Sequence, residues 1–243
     1  MTDAPSTHEA DIYEAYAAET TRPRFTDWLR HRAEPDWTAA TEHRFPRELG
    51  TGALDDAVFR RYLVQDYAFV GDLVGTFGRA VGGAPTMAAK ARLIEFLGTV
   101  TGEENDYFER SFEALGVQEE EYTDPPLAAP TRAFLDLLGR AGQTGGYAET
   151  LAVLVPAEWI YREWATAVTS PAPERFYLAE WIDLHATPDF EAFVDWLRSE
   201  LDREGAAASE RRQRRIDTLF RRTVELEVAF FNAAYAADEE GRA

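Results

Sequence analysis

Residues 54–81 read LDDAVFRRYLVQDYAFVGDLVGTFGRAV, and the spacing of their apolar side chains decides the fold class. Phe59, Tyr62, Leu63, Phe69, Val70 and Leu73 recur at the three- and four-residue intervals that share one helix face. Asp66 falls inside that stripe, where a carboxylate is costly unless it is bonded, paired or protonated. Gly82, Gly83 and Pro85 close the helix.

The same period runs outward in both directions. It predicts helices over residues 36–49, 86–115, 131–140, 147–168, 190–204 and 207–237, with a short segment near 176–184. Thr86 caps the second of these and Gly116 stops it. Residues 117–130 are acidic and carry Pro125, Pro126 and Pro130, so they read as a loop. Residues 1–25, polar and broken by Pro5 and Pro23, read as a partly ordered extension ahead of one helical domain at 26–243. No stretch alternates as a strand does, and no repeat or linker suggests a second domain. The fold class expected is all-α, an up-and-down helical bundle.

Composition narrows the function. With 243 residues, 45% hydrophobic, the chain can bury a large core, and 15 Phe, 10 Tyr and 6 Trp supply it. The absence of cysteine removes disulfides, thiolate metal sites and a thiol nucleophile together. No apolar run approaches the ~20 residues of a membrane span. The N-terminus lacks the basic and apolar regions of a secretory signal, so the cytoplasm is the expected location. A net charge of −19 argues against nucleic acid as a partner. Lys90 is the only lysine; either a high-salt cytosol or a genome that favours arginine and alanine accounts for the balance.

Asp66 is not alone. Glu158 lies among Leu151, Leu154, Val155, Tyr161 and Trp164, and Glu227 among Phe220, Val224, Phe230 and Phe231. Glu104, between Val100 and Tyr107, is a weaker case. Each acid, taken singly, could bond a buried Tyr, Trp or Arg for structural reasons alone. As a set they suit metals or a nitrogenous ligand that they bind and protonate. Di-iron bundles use Glu-x-x-His pairs. None of His8, His31, His43 and His185 lies three residues after a candidate glutamate. A haem would need an axial ligand such as His31 or His43, and a lone histidine near a helix is more often structural. The nitrogen-ligand reading survives best, with no metal and no cofactor.

Four segments together resemble one family, the TenA/thiaminase II proteins, over residues 36–237. They are FPRELGTGALDDAVFRRYLVQDYAFV (45–70), LAVLVPAEWIYREWA (151–165), FYLAEWIDLHATPDFEAFVDWL (176–197) and VELEVAFFNAAY (224–235). The resemblance implies a haem-oxygenase-like fold that binds no haem. It also implies hydrolysis of thiamin-derived aminopyrimidines in pyrimidine salvage, by deamination or deformylation of 4-amino-5-aminomethyl-2-methylpyrimidine-type compounds. Asp66 matches the aspartate that binds the pyrimidine amino group and ring nitrogen, and Phe69 a ring-contacting position. Tyr161 and Glu227 match the tyrosine and glutamate that complete the pocket, the glutamate transferring protons.

The chain departs from the pattern where the family's nucleophilic cysteine stands. Ala157 occupies that position and Glu158 follows it, as in the cysteine-less TenA_E branch. Thiolate attack is impossible, so cleavage of intact thiamin is in doubt and the acid–base work falls to Glu158 and Glu227. His185 replaces an active-site tyrosine and is expected in the substrate site, its role open between polar network and catalysis. The family's habit implies a homo-oligomer, a dimer or tetramer. Two other readings remain open: a non-catalytic aminopyrimidine-binding or regulatory protein, and a metal-dependent oxidase on the same fold.

Overall fold

Asp55 opens the long helix of residues 54–81 by accepting a hydrogen bond from the Ala57 amide (2.7 Å). In the computed structural model, which describes residues 12–236, that helix is the fifth. The helices before it are α1 (Tyr13–Glu19), α2 (Phe25–Arg32), α3 (Asp36–Thr41) and α4 (Arg44–Gly50), and it is α5 (Asp56–Gly83). Then come α6 (Met87–Thr99), a π-turn (Val100–Glu104) and α7 (Asn105–Leu115). After these lie α8 (Glu119–Thr123), α9 (Ala129–Thr144), α10 (Tyr147–Thr166), α11 (Phe176–His185), α12 (Pro188–Ala206) and α13 (Glu210–Ala233). No strand occurs among the described residues, and no helix there is long and apolar enough to cross a membrane.

Helix α10 is the axis of the bundle. It is buried on nearly all sides and packed by α5, α9, α12 and α13. Its Pro156 has no N–H to return to the Ala152 carbonyl, so the backbone ladder is interrupted just before Ala157 and Glu158. Trp37 and Trp159 meet edge-on at 4.6 Å, and the guanidinium of Arg198 lies 3.6 Å from the Trp159 ring centroid. Buried aromatic area of this kind holds the helices at fixed angles and leaves room for an internal cavity.

Local chemistry changes several expected boundaries. The helix expected over 36–49 is two helices, because the His43 ring accepts from the Phe45 amide (3.1 Å) and starts α4 afresh. Thr86 and Gly116 cap the 86–115 segment as expected, Gly116 at φ +66°, but a π-turn divides it. Within 117–130, three glutamates in the first turn suit a helix N-terminus, and α8 forms there. Helix α2 lies outside the segments that periodicity marks; its Phe25, Trp28 and Leu29 are buried. The final helix begins at Glu210 and ends at Ala233, inside the expected 207–237. Of the extension, residues 1–11 lie outside the described residues, whereas Tyr13–Glu19 is helical.

Candidate active site

Six acidic side chains are buried among the described residues: Asp66, Glu149, Glu158, Glu200, Asp217 and Glu227. Three have arginine partners. Glu149 accepts from Arg212 (2.8 and 3.1 Å), Glu200 from Arg203, and Asp217 from Arg32 (3.1 Å). Burial pushes Glu149 and Glu200 up, but those partners outweigh it and hold both carboxyls below their usual range. The other three have no ion pair. Oδ2 of Asp66 and Oε1 of Glu227 are buried with no hydrogen-bond partner, in residues only 3% and 2% exposed.

The unpaired acids gather at one cavity of about 340 Å³. Asp66 and Phe69 line it from α5, Ala157, Glu158 and Tyr161 from α10, and His185 from the end of α11. Glu104 lines it from the last residue of the π-turn. Glu227, on α13, lies behind the lining, near enough that its charge acts on Tyr62 and Tyr161. Five of the six site residues expected from sequence therefore line a single cavity, and the sixth lies just beneath its wall.

Burial drives the pKa values of all these acids upward. Asp66 is raised by burial and then by the charge of Glu104, with the Tyr62 hydroxyl pulling the other way. Glu158 is raised by burial, then by Glu104 and Asp66; Glu227 by burial, then by Asp66 and Glu158. Burial alone lifts Glu104 to about 7. No cationic side chain offsets any of them, so the cavity retains protons near neutral pH or takes up a cation. Among the described residues, no group of three or more acids and histidines is disposed to hold a metal ion.

The neutral groups complete the picture. The hydroxyls of Tyr62 and Tyr161 are 2.7 Å apart, a buried hydrogen bond beside Asp66. Nδ1 of His185 lies 2.8 Å from the Trp181 carbonyl, which can only accept, so Nδ1 carries the proton. Burial keeps the ring neutral, with its pKa lowered to about 4, and Nε2 is left as an acceptor. Phe69 packs against Phe134 at 4.7 Å and closes one apolar side. Ala157 presents only a methyl group. The cavity thus offers carboxyl groups and a neutral imidazole acceptor that lack ion-pair partners, and it suits a small ligand that carries N–H donors.

Sequence reading did not single out Tyr62, and gave Glu104 no role. Tyr62 stands four residues before Asp66 on the same stripe, a spacing that would have marked it as a partner. Glu104 depends on the π-turn, which leaves no clear trace in sequence.

The chain is an all-α bundle around a cavity whose buried carboxyl groups lack ion-pair partners. Residues 30–237 match the model of the TENA/THI-4/PQQC family, and the chain belongs to that family. It is 27% identical to an aminopyrimidine aminohydrolase of Halalkalibacterium halodurans, over 87% of this chain and 95% of that protein. Among solved structures it resembles a TenA family transcription regulator from Silicibacter sp. TM1040, with a TM-score of 0.78 and 27% identity over 87% of this chain and 96% of the other. A domain with a heme oxygenase-like fold from Shewanella denitrificans matches at a TM-score of 0.65 and 11% identity, over 92% and 97% of the two chains, which shows the fold alone.

Proposed function

We propose that the protein is an aminopyrimidine aminohydrolase that acts on thiamin-derived pyrimidines of the 4-amino-5-aminomethyl-2-methylpyrimidine type, in thiamin salvage. The observation that carries this reading is the set of buried carboxylates around one cavity that lack an ion-pair partner, since Arg92 on the cavity wall pairs with Glu95 (2.6 Å) instead. A protonated aminopyrimidine supplies the missing charge and the missing donors together. Relatives named for this activity support the substrate class.

Asp66 takes the ring edge through charge-assisted hydrogen bonds, and Phe69 stacks on the ring and keeps water out. Water attacks the methylene carbon as the carbon–nitrogen bond breaks with its electron pair on nitrogen. One carboxylate accepts the proton of the water and one carboxyl protonates the departing ammonia, leaving a hydroxymethyl product. Glu158 lines the cavity and meets the reacting atoms, while Glu227 behind it exchanges the second proton. Tyr161 positions the water, and His185 accepts a hydrogen bond from a ligand N–H.

Acid–base groups contribute about 10²–10⁴-fold each. Glu158→Gln and Glu227→Gln are expected to lose turnover on that scale with affinity largely kept. Asp66→Asn is expected to weaken binding about 10- to 100-fold, since a charged hydrogen bond is worth roughly 1.5–3 kcal/mol. Steady-state ammonia release together with calorimetric affinities reads both. Binding without ammonia release would favour a pyrimidine-binding regulatory protein instead. Residues 26–243 form the working unit in this reading, as a cytoplasmic homo-oligomer whose size sedimentation measures.

A further inference from the structure

Of the cavity-lining acids that the mechanism does not use, Glu104 is the one raised by burial to about 7. Glu104 is half-buried, makes no hydrogen bond or ion pair, and closes the π-turn between α6 and α7. A π-turn takes i→i+5 bonds and so holds an extra residue, which resets the register of α7 by roughly 100°. Gly98 just before the turn and Gly102 within it, both open to solvent with no atom near a Cβ position, make the helix weak there. The Thr101 hydroxyl returns to the Leu97 carbonyl (2.7 Å), taking up backbone bonding capacity that the wider turn loosens. An irregular register that delivers a carboxylate into a cavity is a feature to be explained by function.

Glu104 lines the same cavity as Asp66 and Glu158, and its charge acts on both. Nearby on the Glu104 side are Thr99 and Glu103, both exposed, so this end faces the mouth. The acids alone would be only a cluster. The unpartnered Oδ2 of Asp66, in a residue 3% exposed on the cavity wall, independently points to a missing ligand.

We propose that Glu104 receives the aminomethyl nitrogen of the substrate, so that with Asp66 on the ring edge the cavity selects compounds bearing two separated nitrogen donors. The proposal rests on the aminopyrimidine reading and deepens it. Glu104 holds the leaving nitrogen against Glu158 of α10, which lines the same cavity, and a ring lacking that nitrogen gains nothing from it.

The test compares two ligands by calorimetry on the full chain: 4-amino-5-aminomethyl-2-methylpyrimidine, and 4-amino-2,5-dimethylpyrimidine, which keeps the ring edge and its 4-amino group but lacks the aminomethyl nitrogen. In Glu104→Gln the first ligand should lose at least about tenfold in affinity, and the second should change less than about twofold. Glu104→Asp, which keeps the charge on a shorter arm, should recover part of the loss, and thermal melting confirms that both variants are folded. Equal losses for the two ligands, or none for the aminomethyl compound, overturn the assignment of Glu104 while leaving the aminopyrimidine site standing. A wild-type protein that binds neither ligand overturns both.

Discussion

At the scale of single residues, partnership separates structural from functional acids. Glu149 and Glu227 are both buried glutamates on helices, yet Arg212 holds one below its usual range and nothing balances the other. The consequence for stability is signed. Glu104 titrates near 7 in the folded chain against 4.5 for a free glutamate, so the folded state binds a proton that the unfolded state has released. That gain is full below about pH 4.5 and is lost as pH rises through about 7. Asp66, Glu158 and Glu227 shift in the same sense, while His185, lowered to about 4 by burial, opposes them, since between about 4 and 6.5 only the unfolded chain binds its proton. Arg92, Glu95, Glu103 and Asp189 also border the cavity. Subtracting Glu104→Gln isolates the one group: relative to that variant, the ligand-free wild type should lose stability as pH rises from about 4.5 to 7 in denaturant melts. A difference that stays flat would show Glu104 charged throughout.

At the scale of elements, close approach sets the tolerance. Helix α12 crosses α2 where a Cβ on Gly205 would lie 2.1 Å from the Cδ1 of Phe25, a core ring with no exposed surface. Gly205→Ala should therefore destabilise the chain by about 1–3 kcal/mol, seen as a lower urea midpoint with unchanged slope. An unchanged midpoint would mean that α2 shifts freely. Much of this level was legible in the sequence, because apolar spacing in α5, α10 and α13 records the burial that forms them. The break at His43 and the π-turn were not, since each depends on one hydrogen-bonding choice rather than on periodicity. The acids on apolar stripes were legible for the same reason as the helices. Which of them lack an arginine partner was not, because the arginines that pair Glu149 and Asp217 lie 63 and 185 residues away in sequence.

At the scale of the whole molecule, charge and cavity act together. Forty-four acids against 25 basic residues leave −19, and surface arginine pairs such as Arg60–Glu121 offset only part of that repulsion. If the composition is an adaptation to salt, the melting temperature should rise from low to molar sodium chloride, and a fall would contradict it. The same excess of acid reaches inward. One end of the bundle keeps carboxyl groups from α5, α10, α13 and the π-turn together without an ion-pair partner, which the fold tolerates because burial lets them hold protons until a ligand brings a positive charge. In the proposed mechanism the absence of cysteine fits this economy of charge, since Ala157 presents only a methyl group and Glu158 beside it is raised by burial.

The most direct measurement is ammonia release from 4-amino-5-aminomethyl-2-methylpyrimidine by the purified protein, alongside its Glu158→Gln and Glu227→Gln variants. One ammonia should appear for each hydroxymethyl product, with turnover reduced by about 10²–10⁴-fold in each variant. Wild-type protein that binds no aminopyrimidine and releases no ammonia, or variants that turn over at the wild-type rate, would contradict a carboxylate-driven hydrolase.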